Sequence, residues 1–298
     1  MNFLGLKKKL RQEKSKTPEN EKKVVNIAKV VENTSSSLPK IPKIGEISLS
    51  IDRNSSCLFH NNIQKLSYYC NVLSLTSHEN SNAESDIKDL FNYFEYERKW
   101  TELRSGRSLQ EYVLDSQSNT FGCPIIDQLV EICNNIELLS FNQTNIEDLN
   151  NEIPLINHVL VNRYGPDEGI LHHEDGPAYY PTVAIISLNE SCILSWKEKF
   201  KSHNDDNDVC QIFLESNSCV LFSHALYSSY LHGIEASHFQ CVLPSSTSMN
   251  NIATTNNDCI KTNVCVNRDK CTVNNQNGCF ERRGVRISLT LRHKYISL

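Results

Sequence analysis

Asn162-Arg163-Tyr164-Gly165-Pro166-Asp167-Glu168-Gly169-Ile170-Leu171-His172-His173-Glu174-Asp175-Gly176 is the stretch from which the rest of the chain can be read. It ends in a His-x-Asp pair, His173 and Asp175, just after a strand-like run. Side chains two apart on a strand share a face, so this imidazole and carboxylate stand together. Such a pair can supply two of the three protein ligands of a 2-His-1-carboxylate Fe(II) centre, whose other positions stay open. The third ligand must come from elsewhere. His232, in Tyr230-Leu231-His232-Gly233-Ile234, is the candidate, and His224, His238 and His293 are also available. Taken alone, a His-x-Asp is more often a pair of solvated loop residues. A second pair, His172 and Glu174, is offset by one residue and belongs to the opposite strand face.

A second segment raises the weight of the first. Arg286-Ile287-Ser288-Leu289-Thr290-Leu291-Arg292 alternates polar and apolar residues without a break. That pattern predicts a half-buried strand with Arg286, Ser288, Thr290 and Arg292 on one face. Two arginines facing a cavity are costly to bury without anions. A dicarboxylate held bidentately would satisfy them. The plainer possibility is an edge strand whose arginines face water.

Together these segments resemble the AlkB family of Fe(II)- and 2-oxoglutarate-dependent dioxygenases. The shared order is Asn162-x-Tyr164, eight residues, His173-x-Asp175, a distal histidine, and Arg286-x-Ser288-x-Thr290-x-Arg292. The homologue-six branch of that family is the nearer likeness, through Asn157 to Tyr164, His173 to Pro181, Leu231-His232-Gly233-Ile234 and, upstream, Lys99 to Gln110. The resemblance implies that His173, Asp175 and His232 bind iron, and its eight-residue spacing selects this register over His172 and Glu174. It also implies that Arg286 pairs with the distal carboxylate of 2-oxoglutarate, helped by the Tyr164 hydroxyl. Arg292 would sit by the other carboxylate and Asp175, and Asn162 would hydrogen-bond the cosubstrate. Ser288 stands where the bacterial member has asparagine, which implies a shorter-reaching or water-bridged contact there. The implied fold is mainly β with flanking helices, around a double-stranded β-helix (jelly roll) core.

The implied reaction uses Fe(II), 2-oxoglutarate and O2, yields succinate and CO2, and hydroxylates a substrate C–H bond. On an N-methyl group it ends in formaldehyde and a demethylated base. DNA or RNA carrying alkylated bases is the expected partner. A protein side-chain hydroxylase and a nucleic-acid-binding module with a dormant iron site are two further possibilities. The net charge of −5 gives no general attraction to polyanions, so nucleic acid would need a local basic surface. Arg104 and Arg107, near Trp100 and Tyr112, are candidates for a patch with stacking aromatics, and Trp100 can equally be core. Tyr179, Tyr180 and Pro181 either line the substrate entrance or pack beneath it.

The chain has 298 residues, 39% of them hydrophobic, enough for a sizeable core. No apolar run reaches the length of a membrane span. The start, Met1-Asn2-Phe3-Leu4-Gly5-Leu6, lacks a signal-peptide pattern, and asparagine in second place excludes N-myristoylation. The expectation is a protein of cytoplasm and nucleus with no membrane association. Most of the twelve cysteines are then expected as thiols. Cys259, Cys265, Cys271 and Cys279 are numerous enough for zinc but lack a Cys-x-x-Cys knuckle.

Residues 1–45 are polar and carry a basic cluster from Lys7 to Lys16, which reads as a disordered tail. It could also contact phosphates or act as a nuclear import signal. The dioxygenase domain is expected over 46–298, with a disordered insertion at 242–281. Within it, 46–52 reads as a first strand. Asp86 to Glu97 reads as a helix with Ile87, Leu90, Phe91 and Phe94 on one face, and Pro124 to Cys133 as a second, opened by proline. Short strands follow at Asn157 to Tyr164, Thr182 to Leu188, Cys192 to Trp196, Gln211 to Glu215, Cys219 to Phe222 and Val285 to His293.

Overall fold

The computed structural model describes residues 47–49, 57–60, 63–75, 83–97, 99–135, 154–199, 210–241, 265, 267 and 279–295. All of them belong to the unit Ile41–Leu298. The expected tail, Cys259 and Cys271, and most of the expected insertion lie outside the described residues.

Sixteen strands are described. In the first part of the chain these are β1 (Ile47–Leu49), β2 (Cys57–His60), β3 (Ile63–Cys70), β4 (Leu73–Leu75), β5 (Thr101–Glu102) and β6 (Ser108–Val113). The second part holds β7 (His158–Tyr164), β8 (Ile170–His173), β9 (Thr182–Asn189), β10 (Cys192–Glu198) and β11 (Cys210–Leu214). It continues with β12 (Ser218–Ser223), β13 (Tyr230–Ile234), β14 (Phe239–Cys241), β15 (Cys279–Glu281) and β16 (Arg286–Arg292). An eight-stranded sheet runs β2-β3-β12-β9-β16-β7-β6-β5, and a four-stranded sheet runs β11-β10-β13-β8.

Strands β7 to β13 and β16, counted one to eight along the chain, fall into the two sheets as 6-3-8-1 and 5-4-7-2. That order is a double-stranded β-helix, the jelly roll expected. It brings the end of β8, the middle of β13 and the inner face of β16 to one side of the molecule.

The alternation of β16 divides two cores. Ile287, Leu289 and Leu291 face a cluster shared with Val159 and Val161 of β7 and with two helices. Those helices are Ala83–Glu97, which contributes Ile87, Leu90 and Phe94, and Pro124–Asn135, which contributes Ile125 and Leu129. The odd-numbered side of β16 thus faces the helix-covered back of the eight-stranded sheet. The sheet's other face meets the four-stranded sheet around Val183, Leu194, Trp196 and Phe222. Burying one large aliphatic side chain contributes about 1.5–3 kcal/mol, so both layers resist a slip of register.

Two pieces of the 242–281 segment are described, and both are packed. Asn267 is buried and bridges the backbone of Phe213 through Oδ1 and Nδ2. Strand β15 pairs with β14. Cys265 is a buried thiol outside any disulfide, whereas Cys279 is disulfide-bonded. A four-thiolate zinc site from the expected cysteines is therefore not what the fold builds. No helix among the described residues is long and apolar enough to cross a membrane.

Candidate metal and cosubstrate site

Strand pairing brings the ligands together. In the β13–β8 ladder His232 lies opposite His173, and a register shift follows before Ile234. Gly233 makes this close approach feasible: a Cβ there would meet His172 N and Ile170 O at 2.9 Å, well inside contact distance. The rings of His173 and His232 stand 4.5 Å apart between centroids. One ligand atom each from His173, Asp175 and His232 lies within 4.8 Å of the others. Among the described residues this is the single group of three that could hold a metal ion.

Each member is set up by its neighbours. His173 Nδ1 is 2.8 Å from the Leu171 carbonyl. A carbonyl only accepts, so Nδ1 carries the proton and Nε2 is presented as a lone pair. Asp175 is split by function. Its Oδ1 accepts from Arg292 Nη1, while Oδ2 is buried without a partner and lies 3.9 Å from His232 Nε2. Burial drives the His232 pKa down to about 4; Asp175 opposes this, and His173 adds to it. A neutral imidazole beside an orphaned carboxylate oxygen is a donor set suited to a divalent cation. The residues fit iron.

His172, in the opposite register, turns away and bonds Ser195 Oγ at 2.8 Å. The remaining candidate histidines are engaged elsewhere. His224 meets Ser223, His238 pairs with Asp167, and His293 bonds the Leu155 carbonyl.

Behind the triad lies a cavity of about 270 Å³. Arg286, Ser288, Thr290 and Arg292 all line it, as do Asn162 and Tyr164 from β7. Arg286 is 1% exposed. Its Nη2 donates to Ser187 Oγ at 2.9 Å, but Nε and Nη1 are buried without partners. Its guanidinium stands 5.5 Å over the ring of Tyr164. Burial raises the Tyr164 pKa, with Arg286 and Arg107 pulling the other way. Arg292 stacks on Tyr179 at 4.1 Å.

Several of these contacts carried no signal in the sequence. His158 Nδ1 accepts from Arg292 Nη2 at 3.4 Å, and its Nε2–H donates to Glu111 at 2.9 Å. Burial lowers the His158 pKa against the pull of Glu111. The expected basic and aromatic patch does not assemble. Trp100 and Tyr112 pack into the helix-side core, Arg104 is exposed, and Arg107 turns inward to line the cavity. Of the tyrosines after the iron motif, Tyr179 lines the cavity and rests against His158.

The family model of the 2OG-Fe(II) oxygenase superfamily matches residues 80–292. The chain belongs to this superfamily. Its members use Fe(II), 2-oxoglutarate and O2. A zebrafish (Danio rerio) protein described as "Probable RNA/DNA demethylase ALKBH6" is 31% identical over 144 residues, 46% of this chain and 57% of that relative. The aligned part thus spans little more than half of the relative's length. Among solved structures, a Pseudomonas putida prolyl-4-hydroxylase has a TM-score of 0.41 at 12% identity, covering 78% of this chain and 93% of its own. A Trichoplax adhaerens prolyl hydroxylase, solved with a hypoxia inducible factor peptide fragment, also has a TM-score of 0.41 at 12% identity, covering 77% and 83%.

Proposed function

We propose that the chain is an Fe(II)- and 2-oxoglutarate-dependent dioxygenase of AlkB type that demethylates alkylated nucleic acid, in cytoplasm and nucleus. The observation that carries this reading is the orphaned Oδ2 of Asp175 between two histidines, next to a buried arginine with unpaired donors. The likeness to the zebrafish relative named as an RNA/DNA demethylase supports the choice of nucleic acid.

When bound, the iron and its cosubstrates supply the oxidising power that turns 2-oxoglutarate and O2 into succinate, CO2 and a hydroxylated substrate carbon. The chain's own residues prepare the place. His173, Asp175 and His232 would hold the metal on one side and leave the other side to ligands. Arg292 orients Asp175 by occupying Oδ1, and His158 with Glu111 holds Arg292 from behind. Arg286 would neutralise the distal carboxylate of 2-oxoglutarate, with Tyr164 beside it. Asn162 and Ser288 would contact the same molecule. Leu160, Ile185, Leu194 and Leu214 line the cavity and limit water around the reacting centre.

The test is a screen of methylated single- and double-stranded oligonucleotides with Fe(II) and 2-oxoglutarate, read as succinate and formaldehyde. A methylated oligonucleotide that stimulates both products is the expected result. Stimulation by peptides alone would overturn the nucleic-acid reading and favour a protein hydroxylase.

A further inference from the structure

Arg107 is unassigned by the chemistry above, yet it ends inside the cavity. It closes the turn between β5 and β6, where Leu103 N donates to the Arg107 carbonyl at 3.0 Å and Gly106 takes a φ of +91°. From there its side chain enters the cavity that Asn162 and Tyr164 of β7 also line. Nη1 donates to Asn162 Oδ1, and the guanidinium charge acts on the nearby Tyr164 hydroxyl. Nε is buried without a hydrogen-bond partner. Among the described residues no carboxylate pairs with Arg107 or Arg286.

Two guanidiniums flanking one buried tyrosine, neither neutralised, are costly unless an anion enters. The bond to Asn162 has a second effect. With Oδ1 engaged by Arg107, the free part of this cavity-lining amide is its NH2 group, which can only donate. Arg107, Arg286 and the Asn162 amide thus all offer hydrogens to the cavity they line, which suits a carboxylate with several lone pairs.

We propose that Arg107 is a second cationic anchor for the carboxylate of 2-oxoglutarate remote from the metal, and that it sets the selectivity of the cavity for a diacid. This rests on the reading of the site as a 2-oxoglutarate site. Arg286 neutralises the carboxylate from β16; Arg107 does so from the β5–β6 turn and fixes the Asn162 amide. Lysine cannot reproduce both roles, because a point charge lacks the planar fork.

The experiment is calorimetric binding to the full chain loaded with Mn(II), which leaves turnover out. Two probes are compared: 2-oxoglutarate, and 2-oxovalerate, which carries a methyl group in place of the distal carboxylate. R107Q is expected to lose 2-oxoglutarate affinity by about tenfold or more, with 2-oxovalerate binding within about twofold of the parent. R107K should recover part of the loss. Equal 2-oxoglutarate affinity in R107Q and parent overturns the proposal. So does a parallel loss of both probes, which would mark Arg107 as a structural clamp. Failure of the parent chain to bind 2-oxoglutarate is a separate outcome that overturns the proposed function itself.

Discussion

Replacing Arg286 by methionine separates stability from binding. Arg286 is 1% exposed, and its guanidinium has one hydrogen bond to Ser187 and two buried nitrogens without partners. Each unpaired buried donor costs about 1–3 kcal/mol, and its charge is desolvated as well. Against that stand the Ser187 bond, about 1.5–3 kcal/mol, and the face of Tyr164, about 1–2 kcal/mol. Methionine is flexible enough to fill the space. R286M without ligands is therefore expected to be more stable than the parent by about 1–4 kcal/mol. In thermal terms this is about 2–4 °C upward per kcal/mol. Ligand reverses the order: 2-oxoglutarate at a hundred times its Kd stabilises the parent by about 2.7 kcal/mol, and R286M not at all. Urea unfolding of both chains, alone, with Mn(II), and with Mn(II) plus 2-oxoglutarate, reads both effects. A variant less stable than the parent in the absence of ligands, or one that keeps the 2-oxoglutarate gain, would refute the reasoning.

Two further outcomes are expected. G233A places a Cβ at 2.9 Å from backbone atoms of β8, so it should push His232 away from His173. Iron affinity is expected to fall by about tenfold or more while far-ultraviolet circular dichroism stays unchanged; unchanged affinity would show that the β13–β8 approach is not what sets the site. The second concerns acid. His232 titrates near 4 in the fold and near 6.5 when unfolded, so between those values the unfolded chain binds the extra proton. This contribution to stability of the metal-free chain is complete above about pH 6.5 and is lost as pH falls toward 4, by about 3 kcal/mol in total. H232F should flatten that slope in urea titrations across the window, leaving the part due to His158, whose pKa is shifted the same way. An unaltered slope in H232F would show that His232 is not its source.

The parts of the fold written in strict periodicity were legible in the sequence. Strand β16 alternates because one face meets helices and the other a polar cavity, and the helix faces of Ile87, Leu90 and Phe94 show because their backs meet water. Strand β3 carried no such signal. Tyr69 faces one core and Leu66 and Tyr68 the other, so a strand buried on both sides has no polar alternation to display. The triad was readable because two ligands are local, two residues apart at the end of β8. Arg107, Glu111 and His158 act through contacts across the sheet, joining residues 47 or 55 positions apart, and local sequence holds no trace of that. The same limit explains Trp100 and Tyr112. An aromatic residue near arginines looks alike whether it faces solvent or core.

The function proposed for this chain requires three named side chains to hold one ferrous ion. Anaerobic calorimetric titration of Fe(II) into the full chain and into H173A, D175A and H232A tests this directly. One ion per parent chain is expected. Each variant should keep its fold and bind Fe(II) more weakly by over ~100-fold, beyond the loss typical of outer-shell changes. Parent-like iron binding in D175A would contradict the assignment.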